Sequence, residues 1–291
     1  MEDCGGGMDD ESKLGSGELI GNAFQIQALL GKGSFGAVYK AVDIRTGADV
    51  AIKTEDKRAR FPQLLYEARI MEQLQTRRGF PELFWYNEHR RWNVLVMQLL
   101  KTSLENDRVA SGGTLSMSKV VNIALQGMEC LRVLHELGWA YRDIKPDNFM
   151  WRHNKLYMID FGLCKRVIYP GTSAHIARRA GKSLTGTPRY ASVHAHFGEE
   201  QSRRDDLESF VYMLIYLANG SLPWQKLPPA SSKTKDRYKH IGKFKKRIKH
   251  AELCAGLPSC FRKTLQYAQT LEFEDIPDYN FLHTLWKEFV C

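Results

Sequence analysis

The sequence lacks the cysteine patterns that mark zinc sites and disulfide frameworks. Its six cysteines are scattered, and no two of them form a CxxC pair: Cys4, Cys130, Cys164, Cys254, Cys260 and Cys291. Isolated cysteines of this kind predict free thiols in a reducing compartment. We therefore expect a cytoplasmic or nuclear protein.

The sequence also lacks long apolar runs. None approaches the roughly 18 residues that a membrane-spanning helix requires. The first residues have neither the positive charge nor the apolar core of a secretory signal. Residues 1–18 contain mostly Gly, Asp, Glu and Ser, which predicts a disordered acidic and glycine-rich arm.

The remaining composition is that of a folded protein with a basic surface. The 291 residues are 43% hydrophobic, which allows a large core and excludes wholesale disorder. We find no internal repeat and expect residues 19–291 to form one domain. The net charge is +9, which favours acidic partners such as nucleic acid, anionic membranes or phosphorylated proteins. Composition alone does not choose among these partners.

The stretch YRDIKPDN at residues 141–148 places an acid, a base and an amide close together. Pro146 disfavours a regular helix here, so we expect a loop that directs several polar groups at one point. Phosphoryl transfer needs such a set: Asp143 would accept a hydroxyl proton, Lys145 would stabilise the phosphate, and Asn148 would hold a metal ion. A charged surface turn is the alternative, but the spacing from Asp143 to Asn148 is that of the protein-kinase catalytic loop.

Residues 31–38, with the sequence GKGSFGAV, form a glycine-rich segment. Glycines let the backbone approach phosphate oxygens closely. A dinucleotide-binding turn is the alternative, but that turn requires a helix after the third glycine. Residues 37–42 are instead typical of a strand, so a hairpin over phosphates is the better interpretation.

Lys53 ends the apolar sequence VAIK, where an unpaired ammonium would be costly. Lys53 either extends into solvent from a strand edge or pairs with ATP phosphates and a glutamate. Glu67 is the candidate partner, and a solvated Glu67 is the alternative. Glu67 lies on a predicted helix beside an inward-facing apolar stripe: Leu64, Ala68, Met71 and Leu74.

Residues 92–100 are almost continuously apolar and predict a buried strand. We interpret residues 101–113 as a hinge between a small β-rich lobe at about 19–100 and a larger helical lobe at about 101–291. A flat heteroaromatic base would bind to the backbone near Gln98–Leu100. A short strand at 155–159 leads into Asp160, where a carboxylate beside phosphates is a suitable Mg²⁺ ligand.

Helical patterns dominate the second half. An apolar stripe from Val120 to Leu134 predicts a core helix that ends near Gly138. Residues 202–207 open a further predicted helix, and the apolar run Phe210–Ala218 predicts that it is buried. Asp206 near its start is placed to accept backbone N–H groups.

Basic residues concentrate at 163–190 and at 233–250. We expect the first segment to cover a substrate cleft. The second is either a solvated helix face or an anion-binding or nuclear-import patch. Nucleic-acid binding is a further alternative, but only Tyr238 and Phe244 are available in that run for stacking on bases.

The glycine segment, VAIK with Glu67, YRDIKPDN and the DFG at 160–162 occur in the order and spacing of eukaryotic protein kinases. The chain resembles these kinases over roughly residues 20–290. Other stretches are similar to the casein kinase I family: FPQL at 61–64, KPDNF at 145–149, LTGTPRYAS at 184–192, EQSRRDDLES at 200–209, GSLPWQ at 220–225 and PDY at 277–279.

This resemblance implies an α+β, bilobal protein-kinase fold. The small N-lobe would be an antiparallel sheet with one main helix, and the larger C-lobe would be mainly helical. The resemblance also implies a serine/threonine kinase that uses ATP and Mg²⁺, with Asn148 and Asp160 as metal ligands. Thr187 is similar to the threonine that bonds to Asp143 and Lys145 in the family, and Met97 resembles the gatekeeper beside adenine.

The resemblance assigns specific positions to the ligands. The residues expected to contact ATP or its metal are Gly31, Lys32, Gly33, Ser34, Phe35, Gly36, Val38, Ala51, Lys53, Glu67, Met97, Gln98, Leu99, Leu100 and Asp160. The family favours acidic or phosphorylated protein substrates, and the implied anion site contains Arg189, Lys226 and Lys233. We expect a monomer without specific nucleic-acid binding.

Two departures from the family pattern are visible. Tyr141 stands where the family has His, and SVH at 192–194 replaces SIN. A non-catalytic scaffold is the alternative function. Retention of Lys53, Asp143, Asn148 and Asp160 favours catalysis, because loss of such groups costs orders of magnitude in rate.

Overall fold

The computed structural model describes residues 14–33, 36–227 and 234–289. The chain divides into two units. Among the described residues, the first contains those up to Gln73 together with Pro81–Leu99, and the second contains Leu74–Phe80 and those from Leu100 onward. The first unit is built on a β-sheet and the second mainly on helices.

The first unit contains a six-stranded antiparallel sheet and one helix. The strands are β1 (Leu19–Ile20), β2 (Phe24–Lys32), β3 (Ala37–Asp43), β4 (Asp49–Asp56), β5 (Leu83–His89) and β6 (Trp92–Gln98), and helix α1 (Leu64–Leu74) follows β4. Their order across the sheet is β1-β2-β3-β4-β6-β5. The predicted strands at 24–29, 37–42 and 92–100 are present, although β2 extends to Lys32 and β6 ends at Gln98.

The two faces of this sheet have different surroundings. One face carries a buried apolar cluster, whose members include Phe24, Ile26, Tyr39, Ala41, Val50, Ile52, Val94 and Val96. Residues paired across neighbouring strands point to the same face. The pairs Val38 with Lys53 and Ala51 with Met97 therefore lie together on the opposite face.

Residues 14–18 belong to the first unit, although the sequence predicts a disordered arm up to residue 18. Leu14 is buried in the apolar cluster, and the Gly17 amide donates to the Ile26 carbonyl at 2.8 Å. These contacts attach the segment to the sheet. The rest of the predicted arm, residues 1–13, lies outside the described residues.

Within the described residues, the second unit contains eight α-helices, two short 3-10 helices (Pro146–Asn148 and Pro223–Lys226) and five short strands. The strands are β7 (Thr102–Ser103), β8 (Trp139–Ala140), β9 (Phe149–Arg152), β10 (Lys155–Met158) and β11 (Lys165–Arg166). The helices are α2 (Leu104–Ala110), α3 (Met117–Glu136), α4 (Val193–His196), α5 (Arg203–Asn219), α6 (Thr234–Arg247), α7 (His250–Leu253), α8 (Ser259–Thr270) and α9 (Tyr279–Lys287). Helix α2 occupies the region interpreted above as a hinge, and it begins where the Ser103 hydroxyl accepts the Asn106 amide at 3.2 Å.

Helices α3 and α5 form the centre of this unit. Every residue of α5 from Arg203 to Leu217 is buried. The apolar sequence predicts this from Phe210 onward, whereas the burial of the mostly charged residues 203–209 was not predicted. Gly127 of α3 lies against Phe210 of α5, where a Cβ atom would come within 2.4 Å of the ring. Glycine at this position therefore lets the two helices pack closely.

Across the described ranges, no helix combines the length and apolar character needed to cross a membrane.

Candidate active site

The loop after β8 collects polar side chains around the Asp143 carboxylate. Lys145 Nζ lies 2.6 Å from Asp143 Oδ2, and Asn148 Nδ2 donates to the same oxygen at 3.1 Å and to the Asp143 carbonyl at 3.0 Å. The Thr187 hydroxyl donates to Asp143 Oδ1 at 2.9 Å. Both carboxylate oxygens are thus fixed in direction. Oδ2 already accepts two donors, whereas Oδ1 accepts only Thr187 and keeps lone-pair capacity for a further donor.

Gly186 allows Thr187 to reach this carboxylate. Its φ is +88°, and a Cβ atom there would lie 2.2 Å from the Arg142 carbonyl oxygen. The left-handed backbone and the close approach both require glycine. The glycine before Thr187 is therefore explained by its contact with Arg142, in the loop that carries Asp143.

Asp206 of α5 holds the backbone of the same loop through two hydrogen bonds. Its Oδ2 accepts the Tyr141 amide at 2.6 Å and its Oδ1 accepts the Arg142 amide at 2.7 Å. Arg142 has a φ of +69°, a costly conformation for a side chain of this size unless its surroundings hold it. The prediction that Asp206 accepts backbone N–H groups is therefore confirmed. The two amides belong to the loop, whereas Asp205 accepts the Ser202 amide at the start of α5.

A buried chain of hydrogen bonds continues from Asp206 to the C-terminal helix α9. His135 Nε2 lies 3.0 Å from Asp206 Oδ2, and the Tyr279 hydroxyl lies 2.7 Å from His135 Nδ1. Because a carboxylate only accepts, Nε2 carries the proton and Nδ1 accepts from Tyr279. Burial raises the pKa of Tyr279 well above its ordinary value, so the tyrosine remains a donor. Sequence reasoning missed His135 and Tyr279, since the two residues are far apart in the chain.

Tyr141 occupies the position where the related family has His. Its hydroxyl donates to the Ile159 carbonyl, and its buried ring lies edge-on to Phe161 at 6.1 Å. Burial raises the pKa of Tyr141 well above the usual value. The tyrosine therefore stays protonated and connects the loop to the residue before Asp160.

Asn148 and Asp160 are the residues that would hold a divalent metal ion. The Ile159 amide donates to the Asn148 carbonyl at 2.9 Å, which links the two segments. Asp160 is half-buried with a φ of +63°. The described residues contain no group of three His, Cys, Asp or Glu side chains suited to a metal. One amide oxygen and one carboxylate fit Mg²⁺ that also takes phosphate oxygens, as this ion commonly does.

In the first unit, Lys53 of β4 meets Glu67 of α1 as predicted. Their ammonium and carboxylate lie 2.7 Å apart, and the Glu67 side chain is 2% exposed. Gly36 packs against the same strand, since a Cβ atom would lie 1.7 Å from the Thr54 carbonyl oxygen.

The other predicted ATP contacts of the first unit are placed as follows. Gly31 and Lys32 end β2, and the Gly33 amide donates to the Gly36 carbonyl at 2.9 Å. Val38, Ala51, Lys53 and Met97 share one face of the sheet. Gln98 ends β6 and Leu99 is the last residue of the first unit. Leu100 begins the longer of the two segments that form the second unit. Ser34 and Phe35 lie outside the described residues.

The predicted anion-site residues are only partly brought together. Arg189 lines a cavity of about 480 Å³ together with Asp147, Thr187, Trp224, Arg237 and His240. The Arg189 guanidinium lies over the rings of Tyr216 and Tyr190, at 5.2 and 5.7 Å. Lys226 is exposed and does not line this cavity, and Lys233 lies outside the described residues.

A second group of cations converges on Glu200. Lys165 Nζ lies at 2.7 Å, Lys182 Nζ at 3.2 Å and an Arg142 nitrogen at 3.9 Å from its carboxylate. Burial alone would raise the pKa of Glu200, but Lys165 and Lys182 lower it. Three cations around one carboxylate leave an excess of positive charge in the basic segment predicted to cover the substrate.

Residues 24–266 match the family model for the protein kinase domain. The match covers most of the chain, and it agrees with the predicted α+β architecture of an antiparallel sheet unit and a helical unit. A domain of this kind implies transfer of phosphate from ATP to proteins, with a divalent metal ion. The chain thus belongs to the protein kinase family.

Proposed function

We propose that this kinase phosphorylates serine and threonine in proteins, that it uses Mg²⁺, and that it prefers acidic or already phosphorylated sequences, as casein kinase I enzymes do. The observation that carries the proposal is the arrangement around Asp143, where Lys145 and Thr187 each bond to one carboxylate oxygen. Because Thr187 lies within 2.9 Å of Asp143, a substrate on residues 187–190 would present its acceptor close to the carboxylate. The lysine two residues after Asp143 resembles that of the serine/threonine class of the family.

Each residue has a distinct part in the proposed reaction. Asp143 orients the substrate hydroxyl and accepts its proton as the oxygen attacks phosphorus. Lys145, held against Asp143, stabilises charge on the transferred phosphoryl group. Lys53, oriented by Glu67, binds the ATP phosphates. Mg²⁺ held by Asn148 and Asp160 would neutralise the remaining phosphate charge.

The preference for anionic substrates is supported by charge near the acceptor position. Arg189, Arg237 and His240 line the cavity beside Thr187, against one carboxylate, Asp147. The excess of cations around Glu200 adds to this field. Clustered cations favour phosphate or carboxylate groups on a substrate.

Radiolabelled ATP and matched peptides test the proposal. The peptides differ only in the acceptor (Ser, Thr or Tyr) and in upstream residues that are acidic, phosphorylated or basic. We expect label on Ser and Thr, with the acidic and phosphorylated peptides preferred. Preferential labelling of Tyr, or of the basic peptides, would reject the proposed specificity.

Variants of the acidic groups separate catalysis from a scaffold role. Asp160→Ala and Asp143→Asn should lose transfer while their melting temperatures stay close to that of the unmodified chain. Full activity of Asp160→Ala would reject the metal assignment. No labelling of any peptide by the unmodified chain would favour a scaffold.

A further inference from the structure

Lys245 differs from the other lysines of α6. Its side chain is buried, whereas Lys239, Lys243 and Lys246 on the same helix are exposed. Burying an ammonium is costly unless its donors are satisfied. The sequence leaves this basic run open between a solvated helix face and an anion-binding or nuclear-import patch, and the buried Lys245 fits neither interpretation.

The Lys245 ammonium is enclosed by carbonyl groups of one short segment. Nζ lies 3.1 Å from the Pro188 carbonyl oxygen, 3.1 Å from that of Arg189 and 2.6 Å from that of Ala191. An ammonium has three N–H donors, so three acceptors satisfy it completely. The segment Pro188–Ala191 directly follows Thr187 and contains Arg189.

Aromatic rings close the remaining sides. Nζ lies 4.6 Å from the Trp224 ring centre and 4.8 Å from that of Tyr212, distances at which a cation is attracted to a ring. The Trp224 indole also donates to the Arg189 carbonyl at 2.7 Å. Lys245 and Trp224 thus hold the same backbone segment from two elements.

Helix α6 is placed for this contact by close packing on α4. A Cβ atom at Gly242 would lie 2.5 Å from His196 Cβ, so glycine allows the two helices to approach. Lys245 follows Gly242 by three positions and therefore lies on the same side of α6. His196 Nε2 lies 3.1 Å from the Pro188 carbonyl oxygen, which adds a further contact to the segment.

We propose that Lys245 is a positioning residue for substrate binding: it fixes the backbone of Pro188–Ala191 so that Thr187 meets Asp143 and the cavity lined by Arg189 and Trp224 keeps its shape. The proposal rests on the proposed function, because it takes that cavity as the place where protein substrates bind. It adds a buried cation that touches neither substrate nor ATP.

Steady-state kinetics of the full chain provide the first test. Lys245→Met removes the three donors and keeps the length of the side chain. Lys243→Met is the matched control, because it removes the same charge from an exposed position on the same helix. We expect Lys245→Met to raise KM for an acidic peptide about tenfold or more while KM for ATP changes less than about twofold. Lys243→Met should leave both constants within about twofold of the original values.

Hydrogen exchange provides a readout that does not depend on phosphorylation. The Tyr190 and Ala191 amides each donate to the Thr187 carbonyl at 3.0 Å, so their exchange reports on the order of this segment. In Lys245→Met these amides should exchange about tenfold faster, with amides of α5 unchanged. Lys245→Gln keeps two N–H donors and should give an intermediate result.

The outcomes separate the two proposals. If the unmodified chain labels no peptide, the proposed function fails, and the exchange data still decide whether Lys245 orders the segment. Unchanged peptide KM together with unchanged exchange in Lys245→Met would overturn the positioning role. Unfolding of both Lys245 variants, with a folded Lys243→Met, would also overturn it, because Lys245 would then serve the stability of the whole unit.

Discussion

Lys53 in the first unit and Lys245 in the second both hold an ammonium against acceptors of the protein, but they do so differently. Lys53 faces the Glu67 carboxylate at 2.7 Å, whereas Lys245 donates to three backbone carbonyls. An ion pair joins two side chains and leaves the backbone free to follow other constraints. A carbonyl cage fixes the path of the chain itself.

The same difference extends to the rest of the candidate site. In the second unit, Asp206 holds two consecutive loop amides, and Gly186 presses against the Arg142 carbonyl. The catalytic loop and the segment after Thr187 are therefore shaped by contacts between side chains and backbone. We expect changes to these supporting contacts of the second unit to act through geometry, and changes at Lys53 to act through charge.

The largest effect is expected from removing the charge in the first unit. Lys53→Met should lower the rate of phosphate transfer about a thousandfold, since it removes the cation proposed to bind ATP phosphates. Lys57→Met is the control, because Lys57 forms an exposed ion pair with Glu88 at 2.8 Å and such pairs contribute little. Peptide phosphorylation by both variants gives the comparison. Equal activities of the two variants would show that the Lys53–Glu67 pair has no specific role in phosphate transfer.

Gly186→Ala tests the geometric support in the second unit. The added Cβ should push Thr187 away from Asp143 and lower kcat about a hundredfold. Gly181→Ala is a matched control, because Gly181 has a similar φ of +79° with nothing within 4 Å of a Cβ atom. If the two alanine variants lose the same activity, backbone strain rather than the clash at Arg142 is responsible.

Acid should lower the free energy of unfolding of the second unit through His196, which contacts the Pro188 carbonyl. Burial, and then the Lys245 charge, lower the pKa of His196 to about 3 from its ordinary value of 6.5. The unfolded chain therefore gains this proton near pH 6.5, and the folded chain gains it only near pH 3. Stability is lost as the pH falls through that window, by about 2 kcal/mol between pH 7 and pH 5 from this group.

Urea unfolding at both pH values measures this loss. His196→Gln should show a smaller decrease than the original chain, because glutamine does not titrate. A decrease of the same size in both proteins would assign the acid sensitivity to other groups.

The smallest effect is expected at the end of the chain of hydrogen bonds below the loop. Tyr279→Phe leaves His135 Nδ1 without its 2.7 Å partner and should lower the free energy of unfolding by about 1–2 kcal/mol. A modest decrease in kcat should accompany it, since His135 also contacts Asp206. Tyr267→Phe is the control, because the Tyr267 hydroxyl accepts the exposed Asp278 amide and is not a member of the Tyr279–His135–Asp206 chain of hydrogen bonds. A greater loss of kcat in the control would argue against this path.

The sequence was most informative where chemistry depends on neighbouring residues. The motifs around Asp143 and the pairing of Lys53 with Glu67 depend on strand and helix periods that can be read locally. Residues 24–29 were predicted as a strand because apolar and polar residues alternate along them, and residues 92–100 because they are almost continuously apolar. Strands β1 and β5 were not predicted.

The supporting contacts could not be predicted in the same way. In the sequence, Lys245 cannot be distinguished from the other lysines of its basic helix. Only the close packing of Gly242 on His196 brings its ammonium to the carbonyl groups of Pro188–Ala191. Asp206 was expected near backbone N–H groups, but the identity of its partners depends on a distant loop. Contacts of this kind depend on tertiary packing, which leaves no local period in the sequence.

The placement of residues 74–80 bears on how this protein can be divided for experiments. These residues lie between two parts of the first unit in sequence but belong to the second, where the Gly79 carbonyl accepts the Met158 amide at 2.8 Å. A fragment ending near residue 99 would carry Phe80 without Phe161, against which its ring lies at 6.0 Å. To express the first unit alone, residues 74–80 would therefore be replaced by a linker. To express the second unit alone, residues 74–80 would be added to the fragment that begins at Leu100.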